Sequence, residues 1–317
     1  KAHLEPFTMP PCTHPLAPLA SARMPEPSTT ANGQWIPTSQ LSASGKRYSH
    51  SIMEEAPNLL RSSTFSASGN KRQTQRVVDI IVNHREEVRS PLLRERLLAE
   101  FVGTFFVVLT VGVAVASKTD MAPVAVGSML AVQIYTFGAV SGGFLNPAVT
   151  LAVLLSRRDK IGPRNAALYM AAQFLGGIVA GFMAFAGTET SFCYDYGVNK
   201  SFGTSFELEW FFSMALCGVV LAAGTSNDAP NQYFGFAIGC SVIGGALACG
   251  GFDQCSFNPA VTVGMNIANY ANSNSKINPS LGAWFVFIFA PFVGAAWAAA
   301  VFRGTRGNEF EEVLSKE

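Results

Sequence analysis

The stretch CSFNPAVTVG, residues 255–264, repeats five letters, NPAVT, that already stand at residues 146–150. Asparagine is among the best helix N-caps, and proline is favoured at the first helical position, where its missing N–H costs nothing. Each Asn-Pro therefore starts a helix, and the apolar runs that follow, 147–155 and 259–267, are nine residues long. As helices they rise about 13 Å, less than half of a roughly 30 Å hydrocarbon core, so neither can span a bilayer. If Asn146 and Asn258 cap through Oδ1, each side-chain NH2 is left over as an outward-pointing donor.

Around these two short runs lie six longer ones, at 97–117, 122–140, 166–187, 210–225, 233–249 and 281–302. Residues 121–155 and 165–188 contain no Asp, Glu, Lys or Arg, the pattern of membrane-spanning helices. From Glu100 the order is apolar run, apolar run, NPAVT, apolar run. From Glu209 it is the same, with the two asparagines 112 positions apart. Three spans per half is an odd number, so the second half enters the membrane from the opposite side. The expected fold is all-α, with six transmembrane helices plus two re-entrant half-helices in an inverted internal repeat.

The channel-like region is expected at 94–303, with repeats at 94–188 and 205–303, followed by a short tail at 304–317. Residues 1–93 are rich in Pro, Ser, Thr and Ala at first and read as a disordered polar segment, with an amphipathic helix near 76–88. Arg85, Arg89, Arg94, Arg96, Arg157, Arg158, Lys160, Arg164, Arg303 and Arg306 flank one side of the predicted spans, against Lys118, Lys200 and Lys276 on the other. That asymmetry places both termini in the cytoplasm. Gly177 with Gly181, and Gly235 with Gly239, are small-residue pairs suited to close helix crossings.

Composition excludes several functions. The net charge of +1 gives no case for nucleic acid. The six cysteines form no CxxC pair, and all four histidines precede residue 85, so the apolar region can hold neither a His metal site nor a Ser-His-Asp constellation. No enzyme, metal or cofactor is expected.

The irregular residues leading into each NPA would expose backbone carbonyls that lipid cannot satisfy, so they line a polar path or lie buried in protein. Inverted symmetry brings the two half-helix N-termini together near the midplane. Each carries about +0.5 of an elementary charge, which raises the energy of any cation there, hydronium included. A neutral solute with an acceptor oxygen is instead held by the two Asn donors.

At this point the chain resembles the aquaporin, or major intrinsic protein, family over about residues 94–303. The resemblance is carried by AEFVGTFF at 99–106, SGGFLNPAVT at 141–150, AAQFLGG at 171–177, LEW at 208–210, FNPAVT at 257–262 and WFVFIFAPFVGAAWAAAVF from Trp284. It implies a homotetramer with one pore per subunit in a lipid bilayer, passing water and small uncharged solutes. It also implies pore triplets at Asn146, Pro147, Ala148 and Asn258, Pro259, Ala260, with Glu100 and Glu209 supporting the re-entrant loops. The family's four constriction positions map onto Val126, Ala246, Cys255 and Val261. Water-selective relatives usually have Arg at the last of these, and the glycerol pattern NPARD fails as well, since Thr262 stands where Asp would be. Phe144 replaces a usual His, and Gln254 a usual Gly. A ring of Val, Ala, Cys and Val is wider and more apolar, so glycerol, urea, ammonia or hydrogen peroxide are expected to pass beside water. A secondary transporter of inverted-repeat type and a non-conducting membrane scaffold of the same fold remain as alternatives.

Overall fold

A computed structural model describes residues 90–196, 201–227, 232–250, 254–275 and 277–310, so the segment near 76–88 lies outside the described residues. The apolar runs become eight helices: α1 (Leu93–Ala116), α2 (Ala122–Ser141), α3 (Pro147–Leu155), α4 (Pro163–Thr188), α5 (Phe202–Val219), α6 (Phe234–Cys249), α7 (Pro259–Ala271) and α8 (Leu281–Thr305). A π-helical turn, Val220–Gly224, extends α5, and a 3₁₀ turn, Gly307–Glu309, follows α8. There is no strand among the described residues.

Local chemistry sets the helix ends. α2 and α4 carry Pro in their first turn, and Ser201 and Ser280 cap α5 and α8 by accepting from Thr204 N and Ala283 N, each at 3.1 Å. α2 stops at Gly142, whose φ of 99° is open to glycine and strained for other residues.

Five helices, α1, α2, α4, α5 with its π turn, and α8, are long and apolar enough to cross a membrane. α6 is shorter at 16 residues, a rise of about 24 Å. The irregular segment before α7 packs beside its end, where the Phe257 ring lies 3.0 Å from a Cβ built on Gly245. The two half-helices also differ. α3 keeps the nine residues expected, whereas α7 has 13. Counting apolar residues stopped the expected run at residue 267, before the polar Asn269, although Asn266 already lay inside it. Both are buried and both bond to neighbouring loops: Asn266 Oδ1 accepts from Tyr194 N at 2.8 Å, its Nδ2 being left without a hydrogen bond among the described residues, and Asn269 Nδ2 donates to Ile277 O at 2.8 Å.

The packing follows the repeat. α1 pairs with α4 as α5 pairs with α8, α7 packs on α4 as α3 packs on α8, and α2 meets α6. Both small-residue pairs sit at such crossings. A Cβ on Gly177 would fall 2.4 Å from Ala260 O, one on Gly181 2.2 Å from Gly264 O, and one on Gly239 2.3 Å from Gly127 O. Backbones meet there with no room for a methyl group.

One basic residue used to orient the spans has a different role. Arg158, after α3, forms a buried ion pair with Glu309 at 3.2 Å, their side chains 3% and 1% exposed. It also donates to Thr225 O and Thr225 Oγ1, and its guanidinium lies 4.2 Å from the Phe302 ring centroid. Glu309 Oε1 in turn accepts from Asn227 N at 2.6 Å. Burial pulls the Arg158 guanidinium below its ordinary value, and the bond to Glu309 opposes that shift. Arg158 therefore ties the α3–α4 loop, the end of α5 and the turn after α8 together.

Two outcomes test this packing. Gly264→Val forces a side chain to within 2.2 Å of Gly177 O, at a cost of about 1–3 kcal/mol or more. It should lower the melting midpoint in detergent, whereas Gly244→Ala, with nothing within 4 Å of its Cβ, should not; equal midpoints would show that the crossing is loose. Glu309→Ala strands a buried charge at about 3 kcal/mol, while Arg158→Met with Glu309→Leu should recover most of that loss. A midpoint unmoved by Glu309→Ala would mean that the pair is solvated.

Candidate functional site

Residues 142–146 and 254–258 lead into α3 and α7 as irregular chain, and they share a left-handed backbone at two corresponding positions. Gly143 (φ 63°) and Leu145 (φ 51°) correspond to Cys255 (φ 44°) and Phe257 (φ 54°), each pair 112 positions apart. Leu145, Cys255 and Phe257 pay a penalty of order 1 kcal/mol each for this left-handed conformation. Surrounding bonds impose it.

Two fully buried glutamates supply most of those bonds. Glu100, on α1, accepts from Ser141 Oγ at 2.5 Å, Phe144 N at 3.1 Å, Leu145 N at 2.7 Å and Gln173 Nε2 at 2.7 Å. Glu209, on α5, accepts from Ser256 N and, at 2.9 Å, from Phe257 N. A carboxylate within a span costs about 2.5–3.5 kcal/mol, and each bond to it returns about 1.5–3 kcal/mol when the acceptor is charged. The four donors on Glu100 are thus enough to hold it inside rather than at a span end.

Asn146 and Asn258 cap their half-helices as expected, with Oδ1 accepting from Ala148 N at 2.8 Å and Ala260 N at 3.0 Å. Their amide nitrogens are not wholly left over. Asn146 Nδ2 donates to Phe257 O at 2.8 Å, and Asn258 Nδ2 donates to Leu145 O at 3.0 Å. The expectation of a fully available NH2 is corrected here: one of its two hydrogens braces the opposite half-helix. The signal missed was the carbonyl just before each Asn, which the left-handed Leu145 and Phe257 turn toward the other repeat. Pro147 and Pro259 open the half-helices, and Ala148 and Ala260 are fully buried at their junction.

Around this junction lies a cavity of about 310 Å³. Asn146 and Asn258 border it near its middle, and Val126, Ala246, Cys255 and Val261 border it together. Phe144, Val149 and Val220 of the π turn also line it, as do Phe192, Tyr194 and Gln254. Glu100 and Glu209 are not in the lining; they act from behind the loops. Among the described residues no charged side chain lines the cavity, and no grouping of His, Cys, Asp or Glu able to hold a metal ion occurs. The arrangement offers a neutral, mostly apolar wall with a few fixed polar atoms, suited to uncharged hydrogen-bonding molecules.

Comparison with known proteins agrees with this architecture. The model for the family described as major intrinsic protein matches residues 87–302. A glycerol uptake facilitator protein-like 6 of Lactiplantibacillus plantarum is 34% identical over 214 residues, covering 64% of this chain and 94% of the relative. Nodulin-26 of Glycine max is 31% identical over 228 residues, covering 67% and 79%. Among solved structures, the aquaglyceroporin from Plasmodium falciparum shares the fold with a TM-score of 0.58 at 18% identity, covering 67% of this chain and 96% of that one. The family model covers more than half of the chain, so the chain belongs to the major intrinsic protein family, and with five helices apolar and long enough to cross a bilayer it is an integral multi-pass membrane protein.

Proposed function

We propose that the chain is a passive transmembrane channel for water and small neutral solutes, with the described cavity as its path. The observation that carries this reading is a cavity with no charged side chain among its described lining residues, bordered by two asparagines that each cap a half-helix. A neutral solute meets no fixed charge to trap it, and the converging helix N-termini oppose cations. Glu100 and Glu209, the buried acids of the spans, already accept loop N–H groups. That engagement argues against their serving as a coupling-ion site.

Val126, Ala246, Cys255 and Val261 are assigned as the constriction. With Val261 in place of a cation, the constriction gains width and loses a fork of donors. Glycerol, the solute in the name of the Lactiplantibacillus plantarum relative, fits such an opening, and urea, ammonia and hydrogen peroxide are of similar or smaller size. Both termini are assigned to the cytoplasm from the Lys and Arg asymmetry. Exposed Phe211, Phe289 and Trp297 suit lipid or a neighbouring copy, and a homotetramer is the assembly assigned.

Stopped-flow swelling of proteoliposomes tests the reading. The native chain should admit water and glycerol faster than lipid alone, and Val261→Arg should cut glycerol flux about tenfold, an added barrier of about 1.4 kcal/mol. An unchanged solute profile would remove Val261 from the constriction. A mercurial should also reduce water flux in the native chain and leave Cys255→Ser conducting. The loop thiol of Cys193 is the poorer target, since burial and then Asp195 raise it above its ordinary value. Full inhibition of Cys255→Ser would place the reactive thiol elsewhere.

A further inference from the structure

The π turn that extends α5 forms part of the cavity wall. Val220, its first residue, borders the cavity, and so does Ile238 of α6, whose Cδ1 lies 3.7 Å from a Cβ built on Gly224 at the other end of the turn. Bonding of the π kind is rare, is mostly confined to single turns, and recurs at functional sites. Here the hydroxyls of Thr225 and Ser226 bond back to Leu221 O at 2.9 Å and to Ala222 O at 2.6 Å, inside the turn.

Arg158 grips the end of this turn from outside α5. Its Nη1 donates to Thr225 O at 3.1 Å and its Nη2 to Thr225 Oγ1. Its Nε donates to Ser156 Oγ at 3.3 Å, and Ser156 Oγ donates to Val153 O at 2.7 Å, which ties the guanidinium back to α3. Glu309 pairs with Nη1 at 3.2 Å, and the Phe302 ring of α8 lies 4.2 Å from the guanidinium carbon. Arg157 and Asp159, on either side of Arg158 in the chain, hold φ of 52° and 55°. Residues other than glycine keep that conformation only where surrounding contacts impose it, and the bonds made by Arg158 supply such contacts.

We propose that Arg158 and Glu309 are positioning residues of the pore: through Thr225 they hold the π turn so that Val220 keeps a fixed place in the wall, which limits the size of solute that passes. This rests on the channel reading and adds to it the residues that fix one wall. Neither is among the residues that border the cavity, so both act through the turn. Glu309 acts by holding Arg158, because a buried guanidinium deprived of its carboxylate turns toward water and away from Thr225. A wall pinned at Thr225 defines a narrower opening than one free to shift. Release therefore favours the larger solute.

Arg158→Met with Glu309→Leu removes the bonds from Arg158 to Thr225 without stranding a buried charge, which separates positioning from stability. Water, glycerol and xylitol fluxes are measured by stopped-flow on proteoliposomes of the full chain, beside the melting midpoint. The double variant should keep most of the native midpoint while its glycerol-to-water and xylitol-to-water ratios rise about threefold or more, the value of one lost hydrogen bond. Val220→Ala should raise the same ratios, and its combination with the double variant should give less than the product of the two effects, since both act on one wall. If the double variant fails to fold, Thr225→Val, which removes the Oγ1 contact and leaves the ion pair, decides by the same ratios. A native or lowered ratio in the folded variant overturns the inference and leaves the channel reading intact, and so do effects that multiply in full. Native vesicles no more permeable than lipid would overturn both.

Discussion

The structure depends on satisfying the backbone of two short irregular segments that sit at the level of the half-helix junction. Lipid offers no partner for an exposed N–H or C=O, so every such group has to find one inside the protein. Glu100 and Glu209 take the N–H groups of residues 144–145 and 256–257, and Asn146 and Asn258 take the carbonyls of Phe257 and Leu145. The two halves are therefore not merely similar. Each one completes the hydrogen bonding of the other, so neither lead-in segment is satisfied without its counterpart.

This bracing explains why strained backbone persists. Three non-glycine residues hold positive φ here, together costing a few kcal/mol, and the bonds from buried side chains exceed that sum. In return, the two segments border a cavity that no charged side chain lines among the described residues. At the junction the two half-helix N-termini disfavour cations while leaving neutral solutes unopposed.

Packing outside the junction keeps the two halves in register. Gly177 against Ala260 and Gly181 against Gly264 bring α4 onto α7, and Gly127 against Gly239 brings α2 onto α6, each by removing a side chain that would separate the backbones. At one end of the bundle, Arg158 and Glu309 bind three segments through a pair that water does not reach. An excess of Arg in a loop can thus reflect buried pairing as well as membrane orientation.

The amino-acid sequence by itself determined the helical class, the doubled Asn-Pro caps, the odd number of spans per half and the lack of histidine after residue 84, because these follow from periodicity, inventory and local propensity. It also pointed to Gly177, Gly181, Gly235 and Gly239 as contact positions, though not to the partners they meet. Only the tertiary structure decided that Asn146 and Asn258 each give a hydrogen to the opposite repeat, that α7 continues past residue 267 through Asn269, and that Arg158 is buried against Glu309. Each of these joins residues tens of positions or more apart, or depends on what loops from elsewhere supply. Such bonds leave no periodic trace, since one donor and one acceptor brought together by folding impose no spacing on the chain between them.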